Sequence, residues 1–179
     1  VEPGRVRRSS GRPPGGLKMR IIMDNVIITP AEVIRLAFAD GGYVSPEAIG
    51  EGDITAAVSR WVEPVAGAAV CAAVASGRYP DLKPHLAAAA AACTRLEVQP
   101  RLNVRTGQAG LTEPAGLFAA AAAESARIEL MRSLKVQAHA VLLRLTEYLD
   151  ENAASIPEYD PRANILKRCR TDGGFVQIF

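Results

Sequence analysis

The residues able to carry acid–base or metal chemistry are few and far apart in this sequence. Its two histidines, His85 and His139, are 54 residues apart, and neither lies in a metal-ligand motif. Either one could act only with partners brought from elsewhere by the fold. The sequence therefore predicts no catalytic residue, no metal site and no cofactor.

The acidic pairs fit structural roles better than catalytic ones. They lie in predicted turns or at helix ends, where carboxylates cap backbone N–H groups or face solvent: Glu51/Asp53, Asp150/Glu151 and Glu158/Asp160. None belongs to the series of oxygen ligands with a central glycine that marks a calcium loop. We interpret them as capping and surface residues.

Phosphate-binding and nucleophile motifs are also missing from the sequence. Gly107 and Gly110 follow a possible strand, but there is no GxGxxG and no Lys-Ser/Thr of a phosphate loop. No serine lies in a nucleophile-elbow pattern. We predict that the chain is not an enzyme, while a small enzyme with a site built only in three dimensions stays as an alternative.

The segment from Arg101 to Gly110 is the least regular part of the predicted core. Leu102 and Val104 favour a short β segment near 101–105, and the two glycines favour a turn after it. Arg101 and Arg105 flank the apolar residues, so they either contact phosphate or form a solvated loop edge. We list both, with Asn103, as candidates for a contact with a neighbouring subunit.

One long helix is predicted from about Glu113 to Asn152, because strong helix formers fill it and Thr112 and Pro114 suit its first turn. Forty residues would reach roughly 60 Å, more than a compact domain of this size requires. One stripe is apolar at helical spacing: Ile128, Met131, Leu134, Ala138, Val141, Leu142, Leu145 and Leu149. Glu124 and Arg127 fall on the same stripe, and they either pair with each other or face a neighbouring subunit.

Shorter helices precede the long one. Thr29-Pro30-Ala31-Glu32 predicts a capped helix start, and that helix should end at Asp40-Gly41-Gly42. Asp53 is predicted to cap a helix over 54–62, interrupted at Pro64 and followed by a helix over 65–76. Asp81 is predicted to cap a further helix that runs to about Val98 and ends at Gln99-Pro100.

The last residues are apolar and β-prone. Phe175, Val176, Ile178 and Phe179 follow a Gly-Gly turn signal, which predicts a short terminal β segment. An unpaired apolar strand favours aggregation unless something pairs with it. We weigh two partners: the sheet edge of a neighbouring subunit, or a strand of the same subunit.

Charge divides the chain into two parts. The formal net charge of +2 hides an N-terminal segment in which residues 1–20 hold six of the 21 Lys and Arg and one of the 19 acids. Residues 21–179 then carry 15 bases and 18 acids, a net charge of −3. We predict a disordered basic leader over 1–22 and a single helical domain over 23–179, whose mild acidity disfavours a dedicated nucleic-acid binder.

The three cysteines, Cys71, Cys93 and Cys169, are widely spaced and form no CxxC pair. Cys71 and Cys93 lie in Ala-rich helical runs, where we expect small buried hydrophobic residues and a reducing compartment. The longest charge-free run, Pro64–Gly77, is too short to cross a bilayer, and no apolar signal segment follows the leader. The sequence predicts a cytoplasmic protein.

Five segments together resemble the head–tail connector (adaptor) proteins of tailed bacteriophages and prophages. The resemblance covers about Ile28 to Phe179 and depends on the order and spacing of segments that are individually modest. These segments are Ile28–Phe38 (ITPAEVIRLAF), Asp53–Gly67 (DITAAVSRWVEPVAG), Gly77–Pro84 (GRYPDLKP), Thr94–Thr112 (TRLEVQPRLNVRTGQAGLT) and Glu158–Phe179 with its DGGFVQIF end.

The resemblance implies a mostly α-helical bundle built on one long C-terminal helix, without an active site. Such subunits form a ring, commonly of about a dozen copies, below the portal protein of a filled head. The ring extends the DNA channel without sequence-specific binding and meets neck or tail-completion proteins. The implied locations are the virion neck and, before assembly, the cytoplasm of the bacterial host.

A second class of function depends on the basic leader. The alternative is a small helical nucleic-acid-binding regulator whose basic N-terminal arm contacts phosphates. It predicts salt-dependent DNA binding that disappears when residues 1–18 are removed.

Overall fold

The computed structural model describes residues 27–39, 44–102, 105–107, 110–112 and 124–167, and these are mostly α-helical, as predicted. The helices are α1 (Pro30–Ala37), α2 (Glu51–Ala57), α3 (Glu63–Ala66), α4 (Ala68–Ala75), α5 (Lys83–Leu102) and α6 (Glu124–Glu151). Short 3-10 helices cover Pro46–Ala48, Ala153–Ser155 and Ile165–Lys167. The predicted leader over 1–22 lies outside the described residues.

Helix α1 begins as its sequence predicts. The Thr29 hydroxyl accepts a hydrogen bond from the Glu32 N–H, and a Glu32 carboxylate oxygen accepts one from the Thr29 N–H at 2.9 Å. This reciprocal pair satisfies two backbone donors that the helix itself leaves unpaired. The helix ends at Ala37, earlier than the predicted boundary at Asp40–Gly42, which lies outside the described residues.

Asp53 does not cap α2 in the way predicted. Gly50 is the N-cap, and Asp53 lies three residues further on, where its carboxylate accepts a hydrogen bond from the Gly50 N–H at 2.8 Å. The carboxylate therefore supplies the second half of a capping box, and the helix starts at Glu51 instead of Ile54.

Pro64 does not end the helical path. A π-helical turn, Val58–Val62, leads directly into α3, and the Glu63 N–H reaches the Val58 carbonyl five residues back. The wider turn gives the proline ring room against the carbonyl four residues before it, and the missing proline N–H costs one hydrogen bond. The break comes instead at Gly67, where φ is +91° and the path bends by 113° between Glu51–Ala66 and Ala68–Ala75.

Helix α4 ends at a glycine, as predicted. Gly77 has φ +86°, and the Arg78 N–H donates to the Ala73 carbonyl at 3.0 Å while the Gly77 N–H donates to the Val74 carbonyl at 3.0 Å. This pair of bonds is the Schellman arrangement that satisfies the last carbonyls of a helix.

Helix α5 lies at the centre of the described residues and packs against α1, α2, α6 and the π-helical turn. Ala89, Ala90 and Ala91 are fully buried, because small side chains let several helices approach the same axis closely. The helix continues past the predicted end at Pro100 to Leu102. Pro100 is exposed and two residues from the end, so only the last turn must adjust to it.

The predicted β segment near 101–105 is not confirmed, because Arg101 and Leu102 are the last residues of α5. The backbone pairs only further on, where Arg105–Gly107 (β1) and Gly110–Thr112 (β2) form an antiparallel hairpin with Thr106 opposite Leu111. The predicted C-terminal β segment lies outside the described residues.

Helix α6 has 28 residues and is about 42 Å long. It covers the second part of the predicted long helix; residues 113–123 lie outside the described residues. The predicted stripe is buried from Leu134 onward, at Leu134, Ala138, Leu142, Leu145 and Leu149. Nearer the start of the helix, Ile128 is 56% exposed. The apolar stripe is therefore fully buried only from Leu134 onward, while Met131 packs against the edge of the core.

Candidate interaction surfaces

Arg101, a predicted interface residue, contacts its own subunit. Its guanidinium donates to both carboxylate oxygens of Asp53, at 2.9 and 2.6 Å, and to the Ala48 carbonyl at 2.9 Å. These hydrogen bonds and the one from Gly50 hold the pKa of the Asp53 carboxyl below its usual value. The pair ties the end of α5 to the start of α2, and the Arg101 side chain stays half exposed.

The other predicted interface residues are not brought to one place by the described structure. Glu124 is exposed in the first turn of α6, and Arg127 is half-buried one turn later. Arg105 begins β1, where its backbone pairs with Thr112. The remaining candidates lie outside the described residues: Asn103, Phe175, Val176, Ile178 and Phe179.

A buried polar network joins α6 to the segment after it. The side chain of Asn164, 1% exposed, donates to the Thr146 hydroxyl at 3.2 Å and to the Tyr159 hydroxyl at 3.1 Å. Tyr159 in turn donates to Asp150, which also accepts from Lys167 at 2.7 Å. The network satisfies every member named, so it fixes the chain direction after α6 and leaves no group for chemistry.

Two surface carboxylates are held in a similar way. Glu97 accepts hydrogen bonds from the Trp61 indole at 2.8 Å and from Arg60 at 3.1 Å. Glu158 accepts from Tyr79 and from Arg78, both at 2.6 Å. The hydrogen bond from Tyr79 is the main cause that lowers the pKa of Glu158, and the same bond raises the pKa of Tyr79. The Glu97 site connects α5 to the π-helical turn, and the Glu158 site connects the loop after α4 to the segment after α6.

The groups of possible chemical interest are dispersed. Within the described ranges, no three His, Cys, Asp or Glu side chains lie together as a metal site would require. His85 stacks on Tyr148 with ring centroids 4.2 Å apart. Cys71 and Cys93 are buried, as predicted, and burial raises the pKa of each thiol to about 12, so neither is a ready nucleophile.

An apolar groove of about 350 Å³ lies between α1, α5 and α6. Its walls are mostly aliphatic, formed by Leu36, Ala37, Ala88, Ala92, Leu134, Ala140 and Val141. Its polar lining residues are Arg95, Gln137 and Arg144. Arg95 is buried, lies over the Phe38 ring and donates to the Ala37 carbonyl, so its guanidinium interacts with groups of the same subunit. Leu36, 46% exposed, leaves the rim of the groove apolar.

The solvent-facing side of α6 carries large aliphatic side chains. Val136 is 65% exposed and Leu143 is 41% exposed, and both lie away from the buried stripe. Isolated exposed aliphatic residues are ordinary, and these two are of interest because they lie two turns apart on the same helix face.

Sequence reasoning missed both apolar surfaces. The spacing of Val136 and Leu143, seven residues apart, was a usable sign of a second stripe on α6. The groove had no such sign, because residues from three separate helices line it.

No single helix among the described residues is long and apolar enough to span a membrane. Within the same residues, Glu51–Ala66 and Ala68–Ala75 are long and apolar enough when taken together, but they meet at a bend of 113°.

Comparison with protein-family models, with curated proteins and with solved structures finds no match for this chain.

Proposed function

We propose that this chain is a structural head–tail connector (adaptor) subunit of a tailed bacteriophage or prophage. In this proposal, about a dozen copies form a ring below the portal protein, extend the DNA channel and join the head to neck or tail-completion proteins. The subunit acts by assembly, in the host cytoplasm first and in the virion neck afterwards.

The observation that carries the proposal is the apolar groove between α1, α5 and α6. A ring needs a heterologous contact, in which one surface of a subunit meets a different surface of the next. The aliphatic groove with Leu36 at its rim supplies one of those surfaces. We assign the other to the apolar C-terminal residues of the neighbouring copy, Phe175, Val176, Ile178 and Phe179.

The charge distribution also supports a channel subunit. Residues 21–179 carry a net charge of −3, and strong phosphate binding would hinder DNA that has to slide through a lumen. Arg101 lies at the end of α5, and the Asp53 carboxylate neutralises its charge.

Ring assembly with the portal protein of the same virus tests the proposal. Leu36→Asp places a carboxylate in the apolar contact, and deletion of residues 175–179 removes its partner. We expect either change to lower the fraction of ring complexes by about tenfold or more in electron micrographs and mass photometry.

Ile165→Asp is the matched control, because Ile165 is also a largely exposed aliphatic residue, 55% exposed, and does not line the groove. It should assemble like the parent chain. Rings that tolerate both Leu36→Asp and the deletion would contradict the groove assignment. Absence of rings with any portal preparation, together with salt-sensitive DNA binding by the parent chain, would favour the nucleic-acid-binding regulator.

A further inference from the structure

Four residues form a stripe on the exposed face of α6, and we call it the outer stripe: Arg132, Val136, Leu143 and Glu147. All four are exposed, the two aliphatic ones by 65% and 41%. At 100° per residue they fall within an arc of about 60°, so a partner helix can contact all of them at once. The stripe faces away from the buried stripe that begins at Leu134.

The outer stripe is antisymmetric in charge. It reads positive, aliphatic, aliphatic, negative, and its midpoint lies between His139 and Ala140. Turning a second copy of α6 by 180° about that midpoint places Val136 opposite Leu143 and Arg132 opposite Glu147. Both contacts occur twice, because a two-fold axis repeats each of them.

We propose that two copies of this chain pair through the outer stripe, with their α6 helices antiparallel. The antiparallel arrangement joins four opposite charges in two pairs around an aliphatic centre of four side chains. A parallel arrangement would set Arg132 against Arg132 and Glu147 against Glu147, so electrostatic repulsion disfavours it.

The existing contacts leave these charges available to a partner. Arg132 lies 3.6 Å from Glu129, but both side chains are more than 70% exposed, and such a pair contributes little. Glu147 forms no ion pair with any other described residue. At each end of the contact, within the same arc, Asp150 would approach Glu129 of the second copy, and Lys167, 2.7 Å from Asp150, offsets that repulsion.

The contact is small and separate from the ring. One helix pair falls at the low end of specific interfaces, below about 1,200 Å² in total, so we expect a dissociation constant in the micromolar range. A two-fold contact closes at two copies and cannot build a ring. The pairing therefore stands or falls without the portal, and it goes beyond the proposed function.

Sedimentation velocity of the full chain over a concentration series, without portal, tests the pairing by charge exchange. Arg132→Glu and Glu147→Arg should each raise the dissociation constant by about tenfold or more, since each sets like charges opposite each other twice. The double variant, Arg132→Glu with Glu147→Arg, restores opposite charges and should return to within about threefold of the parent value. Arg162→Glu, an exposed arginine in a turn outside the stripe, should change nothing.

Disulfide trapping tests the orientation in a Cys169→Ser background, since Cys71 and Cys93 are buried. Val136→Cys with Leu143→Cys should give crosslinked dimers, while Val136→Cys alone should not, because its two copies lie about 10 Å apart along the helix axes. Three results would overturn the proposal: a monomer throughout, a dimer indifferent to the charge reversals, or crosslinking by Val136→Cys alone.

Discussion

At the scale of single residues, Asp53 joins two helices through its one carboxylate. It accepts a hydrogen bond from the Gly50 N–H at the start of α2 and binds Arg101 at the end of α5. One carboxylate therefore stabilises a helix start and the packing of two helices that lie far apart in the chain. The ion pair contributes only modestly to the free energy of folding, because Arg101 is half exposed and water screens the two charges.

Asp53→Asn should lower the free energy of unfolding by about 1 kcal/mol at pH 7, through a weaker cap and a lost charge pair. The folded-state pKa of Asp53 is depressed, so its contribution is present above the unfolded pKa, near 3.8, and is lost as the pH falls through the folded value. The difference between parent and variant in urea denaturation should therefore shrink below about pH 4.

Arg101→Gln supplies the double-mutant cycle for this pair. If Asp53 and Arg101 act through each other, the double variant should lose less than the sum of the single losses. A difference that persists unchanged at pH 2 would show that the effect of Asp53→Asn does not depend on the carboxylate charge.

At the scale of elements, Gly67 decides the path of the chain. Its φ of +91° lets α3 and α4 meet at a bend of 113°, and a Cβ at this position would meet nothing within 4 Å. Glycine is thus required here by the backbone conformation and not by a lack of room for a side chain.

Gly67→Ala should lower the free energy of unfolding by about 1–2 kcal/mol, since an L side chain strains this conformation. Gly52→Ala is the matched comparison, because Gly52 lies inside α2 with open space around it. That change should raise stability by up to about 1 kcal/mol. Equal effects of the two substitutions in urea denaturation would argue against a special backbone requirement at Gly67.

The two faces of α6 should respond differently to truncation. Leu142 is fully buried, so Leu142→Ala should cost about 2–5 kcal/mol. Val136 is 65% exposed, so Val136→Ala should stay within about 0.5 kcal/mol in dilute solution. Thermal and urea unfolding at low protein concentration measure both, and a large loss for Val136→Ala there would place this side chain in the core of the subunit.

At the scale of the whole molecule, the notable features of the described residues are contact surfaces. The polar clusters named above are satisfied internally, and two features of the described residues open to solvent: the groove and the outer stripe. The groove suits a heterologous contact and the outer stripe a two-fold one. Under the two proposals, a subunit would form a weak dimer before assembly and still offer the groove to a neighbour in a ring.

Local signals in the sequence predicted much of the helical content. Thr29 and Glu32 form the expected capping box, Gly77 ends a helix, and the stripe from Leu134 to Leu149 is buried. These features depend on residues within a few positions of each other, so spacing and side-chain type are enough to predict them. The buried state of Cys71 and Cys93 followed in the same way from their Ala-rich surroundings.

The errors arose where a helix accommodates residues that locally disfavour it. Pro100 was expected to end α5, but the helix continues to Leu102, whose neighbour Arg101 is held by Asp53 from another helix. Pro64 was expected to break a helix, but a π-helical turn accommodates it and leaves the bend to Gly67. A segment read as β-prone near 101–105 begins as the last turn of α5.

By itself, the sequence determined that the chain is helical, where several helices start and stop, and that no local motif for catalysis is present. The tertiary structure alone decided that α5 is the central helix, that Arg101 is bound within the subunit, and which apolar side chains stay outside the core. Helix propensity and capping act over one or two turns, whereas burial depends on which helices meet, and residues as distant as Leu36 and Val141 share a groove only after the chain has folded.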